Sequence, residues 1–264
     1  MKVLEYPTVA LPVIALLGAC IGSFLNVLIY RLPRRENIAY PASHCPSCGN
    51  TIKYIDNIPI ISYLFLKGRC RDCSEKISAR YPIIELLTAI MFVTIYMLQG
   101  WSIQFLADVT LGSIFLTAAV IDYEYMIIPD RLTFSGVFMG LLYSLYFGWK
   151  GLLGGFHGIL VSLLILSFMY YLGKILYRKD GIGFGDVKLA LVFGLFFGVY
   201  WSIVTIAIAV LVGALSGITL MLVRGREKGL EIPFGPFLAF GGFMVIFFRP
   251  QLLYLINLYL SQFS

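Results

Sequence analysis

Four cysteines and two aspartates are the residues of this chain whose types and spacing can do chemistry. The cysteines form two pairs, Cys45-Pro-Ser-Cys48 and Cys70-Arg-Asp-Cys73, with 21 residues between them. Each C-x-x-C presents two thiolates, and two pairs fill the tetrahedral shell of one zinc ion. The spacing favours structural zinc on Cys45, Cys48, Cys70 and Cys73 over a redox pair or four unconnected thiols. Four thiolates leave no open ligand position, so catalysis at the metal is not expected. His44, beside Cys45, reads as a solvated loop residue.

The aspartates are Asp122, after Ala118-Ala119-Val120-Ile121, and Asp186, after Gly183-Phe184-Gly185. Acidic groups at the ends of apolar helices are costly and mark functional sites. Two carboxylates at one depth would share a proton, one taking a proton from water while the other polarises a carbonyl. Spacing alone leaves a proton or ion path equally open. It also leaves Asp186 as a cap of the sixth helix, and Asp130, after Pro129, reads as the cap of the fourth. Glu124 and Asp180 read as solvated loop charges. His157 falls on the far side of the chain from these groups, so a Ser-His-Asp site has no base. Gly183 and Gly185 would permit close backbone approach or positive φ beside Asp186. With Gly181 they mimic an S-adenosylmethionine loop, but that loop needs a preceding strand, and here a helix precedes it.

These residues must be positioned by helices in a membrane. Of the 264 residues, 59% are hydrophobic and 13% charged, against roughly 25% charged in soluble domains. The apolar runs are long and do not alternate, which predicts helices rather than a barrel. They fall at about 8–30, 83–99, 102–121, 132–148, 152–177, 187–200, 202–223 and 234–260. The junction between the sixth and seventh is tight, at Tyr200-Trp201. The fold class is therefore all-α and polytopic, with about eight transmembrane helices and a polar cysteine loop over 31–81. This length excludes a second large soluble domain.

Orientation follows from charge. With the N-terminus outside, 17 of the 20 Lys and Arg residues lie on the cytoplasmic side, and only Lys2, Lys150 and Arg249 lie outside. Trp101, Trp149 and Trp201 then mark the outer interface. The net charge of +6 belongs to this asymmetry, and no nucleic-acid partner is expected; the lipid bilayer is. The cysteine loop and both aspartates fall on the reducing cytoplasmic side, where disulfides do not form. Small-residue pairs at Gly18/Gly22, Gly136/Gly140, Gly194/Gly198 and Gly213/Gly217 predict close helix packing within one chain. Oligomeric state is not readable from these pairs. Leu17-Gly18-Ala19-Cys20 imitates a lipoprotein cleavage box, but the flanking charges fit poorly. Cys20 is expected to be a buried apolar residue.

Several motifs together resemble a known family. Gly22-Ser23-Phe24-Leu25-Asn26-Val27 leads to Arg31-Leu32-Pro33, and Asn57-Ile58-Pro59 and Ser62 lie between the cysteine pairs. Arg80-Tyr81-Pro82, Glu85, Asp122 and Ile128-Pro129-Asp130 follow. Gly183-Phe184-Gly185-Asp186-Val187-Lys188-Leu189 and Pro233-Phe234-Gly235-Pro236-Phe237 complete the series. Over nearly its full length the chain resembles the type IV prepilin peptidases, the bacterial prepilin leader peptidase/N-methyltransferase family. The resemblance implies a membrane aspartic endopeptidase of the Gly-x-Gly-Asp class in the bacterial cytoplasmic membrane, with Asp122 and Asp186 catalytic. It implies prepilins and pilin-like proteins of secretion or competence systems as substrates. Their basic leader would be cut off after a Gly, and the new N-terminus methylated with S-adenosylmethionine, whose binding residues no motif identifies. The expected organisation is a first span over 1–30, a cytoplasmic zinc loop over 31–81 and a seven-helix peptidase domain over 82–264. A proton-coupled transporter and a scaffold that binds partners through the zinc loop are the competing classes.

Overall fold

The computed structural model describes residues 10–177, 183–224 and 232–261, which form helices, connecting loops and two isolated antiparallel bridges. The chain divides into two compact units, Met1–Phe105 and Leu106–Ser264.

The first unit is built on α1 (Ala10–Arg31) and α3 (Arg80–Gln99), with a 3-10 turn at Tyr54–Asn57 and the short α2 (Ile61–Phe65) between them. Lipid is as apolar as leucine, so close packing rather than hydrophobicity holds membrane helices together. A Cβ at Gly18 would lie 2.8 Å from the Ala89 Cα, and one at Gly22 would lie 2.7 Å from the Glu85 Cα. Only glycine lets these backbones meet. Phe92, Tyr96, Trp101 and Phe105 pack edge-on at the far end, with ring centroids 5.3 to 6.3 Å apart.

The second unit contains α4 (Ile103–Tyr125), in whose first turn the boundary falls, then α5 (Asp130–Tyr146), α6 (Gly148–Tyr177), α7 (Phe184–Arg224) and α8 (Gly235–Leu260). Helix α7 packs against α5, α6 and α8. Phe115, fully buried, sits among Phe193, Phe197 and Phe243. Gly136 and Gly140 bring α5 onto Val192 and Leu195, and Gly194 meets Gly158 backbone to backbone. The within-chain packing expected of these glycines is what the structure uses. Gly213 and Gly217 are looser: among the described residues, a Cβ at Gly217 would meet only Ile232, at 4.0 Å.

Among the described residues, six helices are long and apolar enough to cross a membrane. Helix α5 is slightly shorter, at 17 residues. Helix α7, 41 residues long, is two helical arms broken at Gly198 (φ 65°, ψ −169°). Counting α5 and both arms, eight segments result, as expected for an integral membrane protein. The break lies two residues before the expected Tyr200-Trp201 junction. Hydropathy registers no polar interruption at Gly198; the turn needs a positive φ, which glycine adopts without a Cβ clash. Cys20 also departs from expectation, since it is exposed on α1 rather than buried. An apolar side chain in a span is satisfied by lipid as well as by protein, so hydrophobicity does not tell the two faces apart.

Candidate functional site

The cysteine loop is ordered by local hydrogen bonds. The Arg31 guanidinium, buried at the end of α1, donates to the carbonyls of Asn37 (2.9 Å), Ile38 (3.0 Å) and Pro41 (2.6 Å). Each cysteine pair then forms the same turn. The Cys45 amide donates to the Asn50 carbonyl (2.9 Å) and the Gly49 amide to the Cys45 carbonyl (2.9 Å). The second turn repeats this with Cys70 to Glu75 (2.8 Å) and Ser74 to Cys70 (3.0 Å). Gly49 and Ser74 occupy equivalent positions with φ 75° and 60°; the serine accepts a conformation that favours glycine. The Asn50 side chain donates to Asp72 (3.2 Å), and Arg71 pairs with Asp56 through two nitrogens. The Arg71 guanidinium holds the Asp56 carboxyl below its ordinary range.

All four sulfurs lie within 4.8 Å of one another, and the Cys45 and Cys73 Sγ atoms are 3.8 Å apart. Four sulfurs at 2.3 Å from one zinc ion stand about 3.8 Å apart, so the cluster fits a tetrahedral ion. The thiols are electrostatically unequal. Amide hydrogen bonds from Cys48 and Ser47 hold Cys45 down at about 7. At Cys73 a hydrogen bond from Glu75 acts the same way, but burial and the three neighbouring thiols outweigh it and push the group up to about 12. Four thiolates cannot share this space without a cation. His44 contributes no ligand atom to the cluster, and its Nδ1 lies 3.1 Å from the Ala42 carbonyl.

The two aspartates come together in the second unit. Asp122, on the last turns of α4, is 7% exposed, and Asp186, in the first turn of α7, is 3% exposed. Their carboxylates are close enough to interact electrostatically. Each has one oxygen held by a backbone amide at a helix start. Gly235 donates to Asp122 Oδ2 (2.9 Å), and Gly183 donates to Asp186 Oδ2 (3.1 Å). The first amides of a helix have no partner inside it and form the positive end of its dipole, which suits a carboxylate. Asp186 reaches back to the residue preceding α7, as the third residue of a capping box does. Its cap-like contact and its place in the carboxylate pair therefore coexist. Among the described residues, Asp186 Oδ1 has no hydrogen-bond partner.

The glycines around Asp186 act through closeness. A Cβ at Gly185 would lie 3.0 Å from the Ile128 side chain, and neither Gly183 nor Gly185 has a positive φ. Asp130 corrects its expected role. Pro129 is the cap position of α5 and makes no side-chain cap; Asp130 is the first helical residue and pairs with Lys188, two residues beyond Asp186. Glu124 is exposed on the last turn of α4, while Asp180 and Gly181 lie outside the described residues.

Two features escaped sequence reasoning. Gly235 was visible only as part of a motif, with nothing to connect it to Asp122. Asp108, 1% exposed inside α4, pairs with Arg249 of α8 at 3.4 Å, and Arg249 also lies over the rings of Phe197 and Trp201. A lone acid within an apolar run was the available signal.

Fold and site define a polytopic helical membrane protein with a buried carboxylate pair and a separate four-cysteine cluster. Residues 16–99 match the family model described as the Bacterial Peptidase A24 N-terminal domain, and residues 109–218 match the Type IV leader peptidase family. A protein of Aeromonas salmonicida (strain A449) named prepilin leader peptidase/N-methyltransferase is 36% identical over 267 residues, covering 91% of each chain. Proteins of the same name from Pseudomonas putida and Pseudomonas aeruginosa are 32% and 34% identical, covering 93% and 90% of each chain. The chain belongs to the prepilin leader peptidase/N-methyltransferase family. No solved structure matches it significantly.

Proposed function

We propose that this chain is a membrane-embedded aspartic endopeptidase that removes the basic leader of prepilins and pilin-like proteins, with Asp122 and Asp186 as its catalytic pair. The observation that carries this reading is the pair itself: two buried, interacting carboxylates, each with one oxygen fixed by a backbone amide. Like charges this close share a proton. The ionised member takes a proton from water, and the oxygen of that water bonds to the scissile carbonyl carbon. The protonated member donates to the carbonyl oxygen. Collapse of the adduct breaks the C–N bond, and the proton taken from water passes to the leaving nitrogen. The amides of Gly235 and Gly183 fix one oxygen of each carboxylate, so the other is aimed at water or substrate. The family resemblance supports a cut after a Gly, where the leader meets the apolar helix.

The same proposal assigns the chain to the bacterial cytoplasmic membrane, N-terminus outside, with the pair and the cysteine loop at the cytoplasmic face. The basic-residue asymmetry supports it. Cys45, Cys48, Cys70 and Cys73 would hold one structural zinc, tying down the loop over 31–81 that has little apolar core of its own. The relatives' name supports a second activity, N-methylation of the new N-terminus, for which S-adenosylmethionine would supply the methyl group. The peptidase chemistry would then lie within 82–264.

The test is a prepilin incubated with the membrane-embedded protein. Asp122→Asn and Asp186→Asn should each abolish the shortened product while the protein stays folded and zinc-loaded. The double variant should be no worse than either single one. A folded Asp186→Asn protein that cuts at the wild-type rate would overturn the mechanism.

A further inference from the structure

The first unit contains a cavity of about 710 Å³ between α1, α3 and the cysteine loop. That is within the range of small-ligand sites. The cleavage chemistry uses none of its lining residues. Two of them, Asn26 and Glu85, belong to motifs singled out in the sequence, and both have unspent hydrogen-bonding capacity.

Glu85 is 8% exposed on the α1-facing side of α3 and makes no ion pair among the described residues. Its Oε2 accepts from the Ile60 amide at 2.7 Å, and the Ser23 hydroxyl also bonds it. Ile60 has φ 63° and ψ −51°, a conformation strained for a β-branched residue. Such strain gathers at functional sites. Here it aims an amide at Glu85. A carboxylate accepts about four hydrogen bonds, so capacity remains.

Asn26 is 2% exposed on α1. Its Nδ2 donates to the carbonyls of Tyr81 (3.0 Å) and Gly22 (3.3 Å). Both partners are acceptors, so the amide orientation is defined, and Oδ1 is left buried with no partner among the described residues. Leaving such a buried acceptor unpaired is unfavourable, because its bond to water is lost and not replaced. Tyr81 lies one helical turn before Glu85, and Gly22 packs on Glu85 itself. The orphan oxygen and the unpaired carboxylate are thus neighbours on facing helices. Six Lys and Arg residues line the cavity; Arg31 is held by three carbonyls, Arg34 by the Tyr30 ring and carbonyl, and Arg71 by Asp56, and neither these nor Lys53, Lys76 and Arg80 form an ion pair with Glu85 among the described residues.

We propose that this cavity is a primary-ammonium site, in which Glu85 supplies the counter-charge and Asn26 Oδ1 accepts one N–H bond. An ammonium group answers both deficits, since it carries the charge and has three donors. A sulfonium carries charge but has no N–H to satisfy Asn26. The inference rests on the methyl-transfer half of the proposed function. That reaction brings two primary ammonium groups to the protein: the new N-terminus of the cut substrate and the amino-acid end of S-adenosylmethionine. A purely structural Glu85 would need only an acceptor for the Ile60 amide, which glutamine also provides. Replacing Glu85 by Gln therefore separates the two roles.

Calorimetry on the zinc-loaded full chain in detergent decides the matter, with Glu85→Asp as the charge-retaining control. The probes are S-adenosylhomocysteine, its counterpart 5′-methylthioadenosine without the amino-acid end, and an apolar peptide, free or acetylated at its N-terminus. Glu85→Gln should weaken either S-adenosylhomocysteine or the free peptide at least tenfold, and Glu85→Asp should recover part of the loss. A loss on S-adenosylhomocysteine but not on 5′-methylthioadenosine assigns the site to the donor; a loss on the free but not the acetylated peptide assigns it to the product. Affinities of Glu85→Gln within twofold of wild type for both probes would overturn the site. So would equal losses on the free and acetylated peptides with S-adenosylhomocysteine unaffected. If Glu85→Gln does not fold, wild type decides: equal binding within both probe pairs overturns the site, and a tenfold preference for the ammonium-bearing member supports it. A wild-type chain that methylates no cut peptide removes the methyl-transfer reading, and this inference with it. A chain that methylates normally but fails these binding tests loses only the ammonium site.

Discussion

The amide of Gly235 reaches Oδ2 of Asp122 at 2.9 Å across 113 residues of sequence. A Cβ at Gly235 would stand 2.7 Å from that oxygen and 3.1 Å from the Asp122 Cβ. Gly235→Ala should therefore turn the Asp122 carboxylate out of place and lower prepilin cleavage by about 100-fold, the order expected of an ångström-scale misplacement. Zinc content should not change. Gly217→Ala, whose added Cβ meets only Ile232 at 4.0 Å among the described residues, should cut at the wild-type rate. Equal activity of the two variants would separate Gly235 from the site.

Asp130 and Lys188 should behave as a charge pair and not as a cap. If Asp130 capped α5, Asn would replace it without loss. As the partner of Lys188, Asp130→Asn should slow cleavage severalfold, and Lys188→Met should match it. The exchange Asp130→Lys with Lys188→Asp should recover more than either reversal alone. Both side chains are partly exposed, so the change in stability should stay within about 1 kcal/mol. A double-mutant cycle on cleavage rate measures the coupling.

Zinc affinity should rise with pH. Cys45 ionises at about 7 but Cys73 at about 12, so at pH 7.5 the metal must displace at least the Cys73 proton. Each proton released makes affinity about tenfold stronger per pH unit. Competition with a chelator between pH 6 and 8 reads this slope directly. A flat profile would exclude thiolate ligation. Cys48→Ser should lower zinc content while leaving the helices of the second unit intact.

The Asp108–Arg249 pair should stabilise the second unit without touching the chemistry. Asp108→Leu alone strands a largely buried guanidinium and should cost a few kcal/mol. Asp108→Leu with Arg249→Leu should cost less, because no unpaired charge remains. Thermal unfolding in detergent compares the two. Cleavage per folded molecule should be unchanged, since Asp122 lies 14 positions beyond Asp108, about 21 Å along the helix. A proton path through Asp108 would instead couple its loss to activity.

The spans and the cysteine turns were legible because their causes are local. A run of apolar residues is a sum over neighbours, and two thiols three residues apart meet in one turn whatever surrounds them. Asp122 and Asp186 were legible as candidates, since an acid at the end of an apolar run is costly wherever the chain goes. Asp130 misled because its local signal, an Asp after Pro129 at a helix start, is that of a cap. The decisive partner, Lys188, is 58 residues away.

By itself, then, the sequence determined the membrane class, the near-eightfold span count and which residues are candidates for chemistry. Tertiary structure alone decided which of them meet. Gly198, and not Tyr200-Trp201, turns the chain, because a positive φ leaves no trace in hydropathy. Glu85 faces the Ile60 amide and Asn26 keeps an unpaired oxygen, because two glycines bring α1 and α3 into backbone contact. Gly235 holds Asp122 because the free amide at the start of α8 falls beside the end of α4. Such hydrogen bonds depend on distances between segments far apart in the chain, and residue type and spacing carry no record of those distances.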